Sequence, residues 1–276
     1  MSKENKLLKR AKQSMKILKS GKIMVKGDQE IDLSPFIKQS SDDAVVSRLN
    51  GIISKEDVVV EEGAKTVDIK YTLQSLMKTT ELESHVHDDA ELPTIVIPIK
   101  KKSAISAFDF LTDGPLGDLL RSSSFALTYK KIKHQWVELN KDDTSSFTNV
   151  MYVPNIVVFM DVKNSKFRKD PYKVNVLILA LPTKAQMIDD EHPNVTNEDA
   201  SFWTVADILE SAIRVGSKKI ILDPFEPKVL RKDKVATIDA WSKALESDKI
   251  RSQFNSINFI FEDEDRYVSF RAKVKE

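Results

Sequence analysis

The residue types of a metal site occur together at His85-x-His87-Asp88-Asp89. In an extended segment, the H-x-H spacing places two imidazoles on the same side of the chain, and imidazoles and carboxylates are common metal ligands. The cluster lies in a polar, acidic stretch from residue 79 to residue 91, and no second histidine motif complements it. We therefore favour a solvated acidic loop over a metal site, and we predict no bound metal.

Groups that could transfer a proton or attack a substrate are found between residues 103 and 127. The carboxylates there are Asp109, Asp113 and Asp118, any of which could act as a general acid. Because Asp113 precedes Gly114 and Pro115, a turn signal, ordinary loop and helix-cap roles are favoured for these residues. The serines at 122–124 are not accompanied by a G-x-S-x-G elbow, so capping or surface roles are favoured over a nucleophile.

Residues 220–233, IILDPFEPKVLRKD, have the order of a phosphate-binding strand, loop and helix. A loop that wraps closely around a diphosphate needs glycines, because their backbone reaches positive φ and carries no Cβ. This loop contains no glycine; it reads Asp223, Pro224, Phe225, Glu226, Pro227 and Lys228. Its two prolines remove N–H donors and its two carboxylates repel an anion. The loop is therefore predicted not to bind phosphate.

The elements that must position these loops follow from hydrophobic periodicity. Predicted helices cover residues 6–20, 72–78, 117–131, 197–215 and 234–245. Predicted strands cover residues 23–25, 30–33, 58–60, 67–71, 94–99, 150–160, 174–181, 219–222 and 257–261. Apolar strands that alternate with amphipathic helices in the second half predict an α/β fold with a mixed or parallel sheet.

Composition bounds the class of protein. The chain has 276 residues, a net charge of +1 and no cysteine, which excludes disulfides and a thiolate nucleophile. The balanced charge gives no global field that would indicate a nucleic-acid or membrane protein. Neither a membrane-spanning apolar run nor an apolar signal segment is present, so we expect an intracellular protein, cytoplasmic or nuclear. The absence of a clean linker predicts one domain, residues 1–276.

Several segments together resemble the microbial-type poly(ADP-ribose) glycohydrolase family. AKQSMKILKSGKIMVKGDQEIDLS (11–34) is similar to its N-terminal helix and hairpin, VDIKYTLQSL (67–76) to a strand and helix, and YVPNIVVFMD (152–161) to its Y-x-P-x-V-V-V-F-R-D strand. VNVLILALP (174–182) is similar to the next core strand. KKIILDPFEPKVLRKD (218–233) resembles the pattern L-V-L-G-A-W-G-C-G-V-F-R-N-D with all three glycines gone.

The resemblance implies a three-layer α/β/α macrodomain-like sandwich with a mixed sheet. Residues 1–92 would form an N-terminal helix-hairpin extension and residues 93–276 the core sandwich. In the family, a P-G-G-G-x-L loop embraces the diphosphate, and the second glutamate of a following Q-E-E acts as the general acid. When Arg121-Ser122-Ser123 is aligned with the family's arginine-serine segment, the glutamate pair falls at Leu116 and Gly117. The glycine triplet then falls within residues 106–109.

The resemblance therefore implies that both ligand loops are degenerate, with no catalytic residue, no cofactor and no expected ADP-ribose binding. The residues of these former ligand loops are Phe108, Asp109, Phe110, Asp113, Leu116, Gly117, Asp223, Pro224, Phe225, Glu226, Pro227 and Lys228. The phenylalanines Phe108, Phe110 and Phe225 would either plug the cleft or form an aromatic patch that docks a protein.

Three functions remain open. The leading hypothesis is a catalytically inactive relative of poly(ADP-ribose) glycohydrolase that serves as a protein-interaction or regulatory module with a protein partner. The first alternative is a divergent ADP-ribosyl hydrolase or ADP-ribose-binding protein that uses Asp109, Asp113 or Asp118. The second is a nucleic-acid-associated protein with a basic contact face on its first helix. That face comprises Lys9, Arg10, Lys12, Lys16 and Lys19.

Overall fold

The computed structural model describes residues 3–25, 29–49, 67–74, 76–78, 91–141, 143–162, 166–190, 192–226 and 228–274. The histidine cluster at 85–89, the predicted strand at 58–60 and Pro227 lie outside these residues, as do the side chains of Arg10 and Lys228. The helices are α1 (Lys3–Ser20), α2 (Ser34–Asp42), α3 (Pro115–Ser122), α4 (Phe125–Asn140), α5 (Asn197–Arg214), α6 (Lys228–Lys232), α7 (Lys234–Leu245), α8 (Asp248–Arg251) and α9 (Glu264–Lys273). The strands are β1 (Lys22–Val25), β2 (Gln29–Asp32), β3 (Val45–Arg48), β4 (Asp68–Leu73), β5 (Thr94–Lys100), β6 (Asn149–Asp161), β7 (Lys166–Leu181), β8 (Lys219–Leu222) and β9 (Ser256–Phe261).

The centre of the fold is a seven-stranded mixed sheet in the order β3-β6-β7-β5-β8-β9-β4. The β3-β6 and β6-β7 pairs are antiparallel, and the pairs from β7 through β5, β8 and β9 to β4 are parallel. The sheet therefore corrects the predicted boundary at residue 92. Strands β3 and β4 precede that boundary and belong to the core, so among the described residues the extension consists of α1, β1, β2 and α2.

Helices cover both faces of the sheet, which confirms the three-layer α/β/α sandwich. Along β7, the side chains of Val176 and Ile178 point to one face, where α3 and α4 pack. The side chains of Leu177 and Leu179 point to the other face, where α5, α7 and α9 pack. The period-two alternation of a strand thus serves two separate apolar cores.

The N-terminal helix and hairpin form a third, smaller core against the outer end of β6. Ile17 of α1, Ile23 of β1 and Ile37 of α2 are buried there against Phe159 and its neighbours. The hairpin pairs Lys22 with Asp32 and Val25 with Gln29 in antiparallel register. The predicted helix-hairpin extension is confirmed.

The predicted helix at 117–131 is two helices, because the serines between them pair with β6. The backbone N–H of Ser124 donates to Val157 O at 2.9 Å, and the Val157 N–H donates to Ser124 Oγ at 3.0 Å. Ser123 forms an isolated antiparallel bridge to Val158, and its extended backbone interrupts the helix. All three serines are buried, which places them in the core rather than at a nucleophile site.

Other differences from the sequence predictions are local. Strand β4 continues to Leu73, so the predicted helix at 72–78 is reduced to a 3₁₀ turn at Leu76–Lys78. Strand β7 begins at Lys166, eight residues before the predicted start at Val174. Its polar first half pairs with β6 under the N-terminal extension, a tertiary contact that apolar periodicity does not report.

Candidate functional site

The candidate site lies at the carboxyl end of β5, where the strand order reverses. In the sheet, β5 lies between β7 and β8. The chain forms β7 on one side of β5 before it crosses to β8 on the other side. In open α/β sheets, ligands bind in the crevice at such a point. Two connections border it: the first loop, residues 101–114, and the second loop, residues 223–226. These contain most of the residues that the sequence singled out.

The first loop closes over the start of α3 at Gly117. A Cβ atom at Gly117 would lie 1.8 Å from the carbonyl oxygen of Thr112, a distance that no side chain tolerates. Glycine is required here by close approach of the loop backbone, and not by a positive φ. The position at which the resemblance places the second glutamate therefore has no room for any side chain, while its neighbour Leu116 is buried.

Arg121 fixes the first loop in this closed position. Its guanidinium donates to the carbonyl oxygens of Phe110 and Thr112, the latter at 2.8 Å, and to Asp118 Oδ1 at 2.9 Å. The arginine is only 1% exposed. Hydrogen bonds that involve charged groups are stronger than neutral ones, especially away from water. No sequence pattern predicts this contact, because it joins a side chain of α3 to backbone atoms of the loop.

The aromatic residues of the first loop pack inward. The Phe108 ring stacks on Tyr129 with centroids 4.0 Å apart and planes 7° apart, and it meets Trp136 edge-on at 6.1 Å. Phe110 is also partly buried against the same core. The large exposed apolar side chains of this loop are instead Ile105 and Leu111.

The three aspartates considered as a relocated acid have local structural contacts or lie at the surface. Asp109 Oδ1 accepts the Leu111 N–H at 2.8 Å, which forms an Asx turn. Asp118 pairs with Arg121, and Asp113 is an exposed residue beside Gly114. The Asx turn of Asp109 agrees with the loop role that the sequence favoured, whereas the N-cap of α3 is Gly114 and makes no side-chain cap hydrogen bond.

The second loop is built around Phe225, which is 1% exposed. Its ring meets Phe261 and Phe270 at 6.4 and 5.9 Å, and the Arg266 guanidinium lies 5.3 Å above it. The hypothesis that Phe225 docks a partner is therefore wrong, because the ring fills the interior. The carbonyl oxygen of Pro224 accepts the Trp241 Nε1–H at 2.9 Å, so the loop is also tied to α7.

A cleft of about 190 Å³ lies beside the second loop at the ends of β8 and β9. It is lined by Asp223, Phe225, Arg231, Phe261, Glu262, Asp263 and Arg266. Asp223 Oδ1 accepts the Phe225 N–H at 2.8 Å, and Glu226 forms an ion pair with Arg231. Burial raises the pKa of Asp223 to about 6, although the hydrogen bond from Phe225 and the nearby arginines oppose the shift.

Replacement of Asp223 with asparagine is expected to stabilise the protein at pH 8 by about 1–2 kcal/mol and to leave it unchanged at pH 4. Because the pKa of Asp223 is raised in the folded state, the stabilisation that its protonated carboxyl contributes is fully present below about pH 4. It is lost as the pH rises through about 6. Asparagine still offers an acceptor to Phe225. Urea unfolding at both pH values tests this, with the exposed Asp190→Asn as control; a loss of stability at pH 8 would contradict it.

A buried ionic network that the sequence analysis did not identify supports the beginning of the first loop. Lys101, whose side chain is 1% exposed, places Nζ 3.0 Å from Asp143 Oδ2 and 2.9 Å from the Ser145 carbonyl oxygen. Asn149 and Arg48 donate to the same carboxylate at 2.7 and 3.0 Å. In the sequence, Lys101 is one of three successive lysines, and no pattern distinguishes it from Lys100 and Lys102. Its ammonium is directed inward.

The pKa values of this network follow from burial and from its hydrogen bonds. Burial lowers the pKa of Lys101, and Asp143 opposes that shift. Burial would raise the pKa of Asp143, but hydrogen bonds from Asn149, Lys101 and Ser145 hold it well below its ordinary range. Burial also raises the pKa of nearby Asp207 to about 6, despite a hydrogen bond from Thr148. We read the network as structural, because its charged groups are directed at one another.

Neither a metal cluster nor a membrane span is found in the described part of the chain. No group of three or more histidines and carboxylates in these residues is arranged to hold a metal ion. None of the described helices is both long and apolar enough to cross a membrane.

The fold is that of bacterial poly(ADP-ribose) glycohydrolases. The enzyme from Thermomonospora curvata superposes with a TM-score of 0.73 at 15% identity, over 98% of this chain and 99% of that chain. Its complex with the inhibitor ADP-HPD gives 0.71 at 16% identity, over 96% and 98%. The Deinococcus radiodurans enzyme in complex with ADP-ribose gives 0.63 at 14% identity, over 87% and 97%. No family model and no curated protein matches the sequence. At such identities the likeness establishes the fold.

Proposed function

We propose that this chain is a catalytically inactive poly(ADP-ribose) glycohydrolase-like macrodomain that acts through contacts with a protein partner. The observation that carries the proposal is the approach of the Thr112 carbonyl oxygen to Gly117. The resemblance places the general acid at this position, and a backbone atom occupies the space that its side chain would need. Without a positioned acid, protonation of the leaving group is lost.

The second loop opposes ligand binding through its charges and its lost donors. Asp223 and Glu226 stand where the resemblance implies a glycine-rich, phosphate-binding backbone, and Pro224 has no N–H to donate. In comparable oxyanion sites, each lost donor costs about 3–4 kcal/mol of transition-state stabilisation. The loss of several such donors together with the acid supports an inactive protein.

The size of the cleft beside the second loop argues against a diphosphate site there, as the alternative of an ADP-ribose-binding protein would require. At about 190 Å³, the cleft beside the second loop is smaller than the roughly 300–1,000 Å³ that surround a drug-sized ligand. Three carboxylates, Asp223, Glu262 and Asp263, outnumber the two arginines, Arg231 and Arg266, in its lining. A diphosphate would have to displace these groups or approach them at a high electrostatic cost.

Protein contact is supported by the part of the first loop that is directed outward. Ile105 and Leu111 are 41% and 54% exposed, whereas Phe108 and Phe110 are packed below them. Exposed apolar residues on a loop that Arg121 and Lys101 fix in place form a preorganised surface, which lowers the entropic cost of binding. We therefore assign the interaction face to Ile105 and Leu111.

Titration of the purified protein with ADP-ribose, followed by calorimetry and thermal shift, is expected to give no signal up to about millimolar ligand, since the cleft beside the second loop is small and that loop lacks the backbone donors of a glycine-rich loop. A micromolar dissociation constant would contradict the expected absence of ligand binding and favour the alternative of an ADP-ribose-binding protein. The partner is tested separately by affinity capture with wild type and with Ile105→Asp/Leu111→Asp. Exposed Val235 and Val268, changed to aspartate, provide the matched control. If captured proteins are lost equally from the Ile105/Leu111 variant and the Val235/Val268 control, or from neither, the assigned face is contradicted.

A further inference from the structure

We infer that the exposed lysine row of α1 is a docking surface for the phosphate backbone of duplex nucleic acid. The row consists of Lys9, Lys12, Lys16 and Lys19, all exposed. It lies on the N-terminal extension, away from the two loops, and its function is independent of whether the candidate site is inactive. Proteins that bind nucleic acid without sequence preference rely on such lysines to neutralise phosphates.

The four lysines share the exposed face of α1 because the opposite face is packed in the core. Ala11, Ser14 and Ile17 are buried, and Ser14 Oγ donates to the Arg121 carbonyl oxygen. The spacings of three, four and three residues place the lysines on one face of a helix. Ten residues at a rise of about 1.5 Å extend the row over about 15 Å.

The charge of this segment is not that of an ordinary solvated helix. Residues 3–25 contain eight lysines or arginines and one acidic residue, although the whole chain has a net charge of +1. The rest of the chain is therefore net negative. Solvated helices usually pair lysines with acidic residues one turn away. Within the described part of the chain, none of the four lysines forms an ion pair.

Duplex nucleic acid matches this surface better than other anionic partners do. One strand presents a phosphate about every 3.4 Å of duplex axis, so about four phosphates lie along the 15 Å row. Single strands are bound largely by stacking on aromatic rings, and residues 3–25 contain no aromatic residue. Membrane binding would need a broad apolar side of the helix; Ile17 is packed against the protein, and among the described side chains of α1 the large exposed apolar ones are Leu8 and Met15.

Fluorescence anisotropy with a labelled random-sequence duplex DNA of about 20–30 base pairs tests the inference on the full chain. With about four phosphates neutralised, affinity is expected to fall roughly 10²-fold between 50 and 200 mM salt. Changing Lys9, Lys12, Lys16 and Lys19 together to glutamine is expected to weaken binding at 50 mM salt by at least about 30-fold and to remove most of the salt dependence.

A charge-matched control changes four exposed lysines elsewhere, Lys141, Lys218, Lys232 and Lys243, to glutamine. This variant is expected to bind the duplex within about threefold of wild type, since these lysines lie outside the row. Absence of duplex binding at 50 mM salt would overturn the inference. Equal losses of duplex affinity in the lysine-row variant and the control variant would also overturn it. Stronger binding to phosphatidylserine vesicles or to polyglutamate than to the duplex would do the same. Thermal unfolding of each variant establishes that it is folded.

Discussion

Replacement of Gly117 with alanine is expected to lower the free energy of unfolding by about 2–4 kcal/mol, because overpacking against backbone has no side chain to displace. The new Cβ would lie 1.8 Å from Thr112 O and within 3.0 Å of Arg121 Nη1, so the first loop must move. For a chain of this size, the change corresponds to a fall of roughly 4–16 °C in Tm. Urea unfolding followed by tryptophan fluorescence measures it. Ser106→Ala, at an exposed position in the same loop, is the control.

A glutamate variant at position 117 tests whether activity is absent because one residue is missing or because the whole site is missing. Gly117→Glu supplies the residue type that the resemblance implies, yet its side chain cannot enter the closed loop. We expect it to be at least as unstable as the alanine variant and to have no glycohydrolase activity, since the second loop would still lack its donors. A stable Gly117→Glu protein that hydrolyses poly(ADP-ribose) would contradict the proposed inactivity and show that the loop opens readily.

Much of the fold was predictable because its core strands are continuous apolar runs. Strands β5, β8 and β9 begin within one residue of their predicted starts at 94, 219 and 257, since buried parallel strands leave an unbroken hydrophobic signal. Helix α5 was equally clear, with a Thr196–Asp199 capping box at its start. Strand β3 and helices α2, α6, α8 and α9 were missed. The largely exposed sequence of β3 forms regular structure through pairing with β6, and the charged sequence of α9 does so through packing on the sheet.

The residue types of the candidate site are evident from the sequence, but their geometry is not. The absence of glycine from residues 223–228 indicated a lost phosphate loop, and this inference needs only the backbone requirements of such a loop. That Phe225 is buried, and that Thr112 lies on Gly117, depends on contacts that form only in the folded chain. The same holds for Lys101, which in sequence is one of three identical residues and in the structure is the buried one.

The ion pair of Lys101 and Asp143 gives the other large expected effect. Lys101→Met is expected to destabilise the protein by about 3–5 kcal/mol, because it leaves a buried carboxylate without its main counter-ion. Asp143→Asn should cost a similar amount, since the ammonium would then face only carbonyl and hydroxyl oxygens of Ser145 and Phe147. In the double variant neither charge remains, so its cost should fall at least about 2 kcal/mol below the sum of the single costs.

The pH dependence of the same variants identifies the charge as the cause. Because the pKa of Asp143 is depressed in the folded state, its contribution is present above about pH 4 and is lost as the pH falls towards the folded-state value. Urea unfolding from pH 7 to pH 3 should therefore show a shallower acid loss in Asp143→Asn than in wild type. Exposed Lys102→Met is the control. Strictly additive single costs, or an unchanged acid profile, would contradict an ionic role. A confirmed coupling would mean that the first loop is closed at both ends, by Lys101 where it begins and by Arg121 where α3 follows.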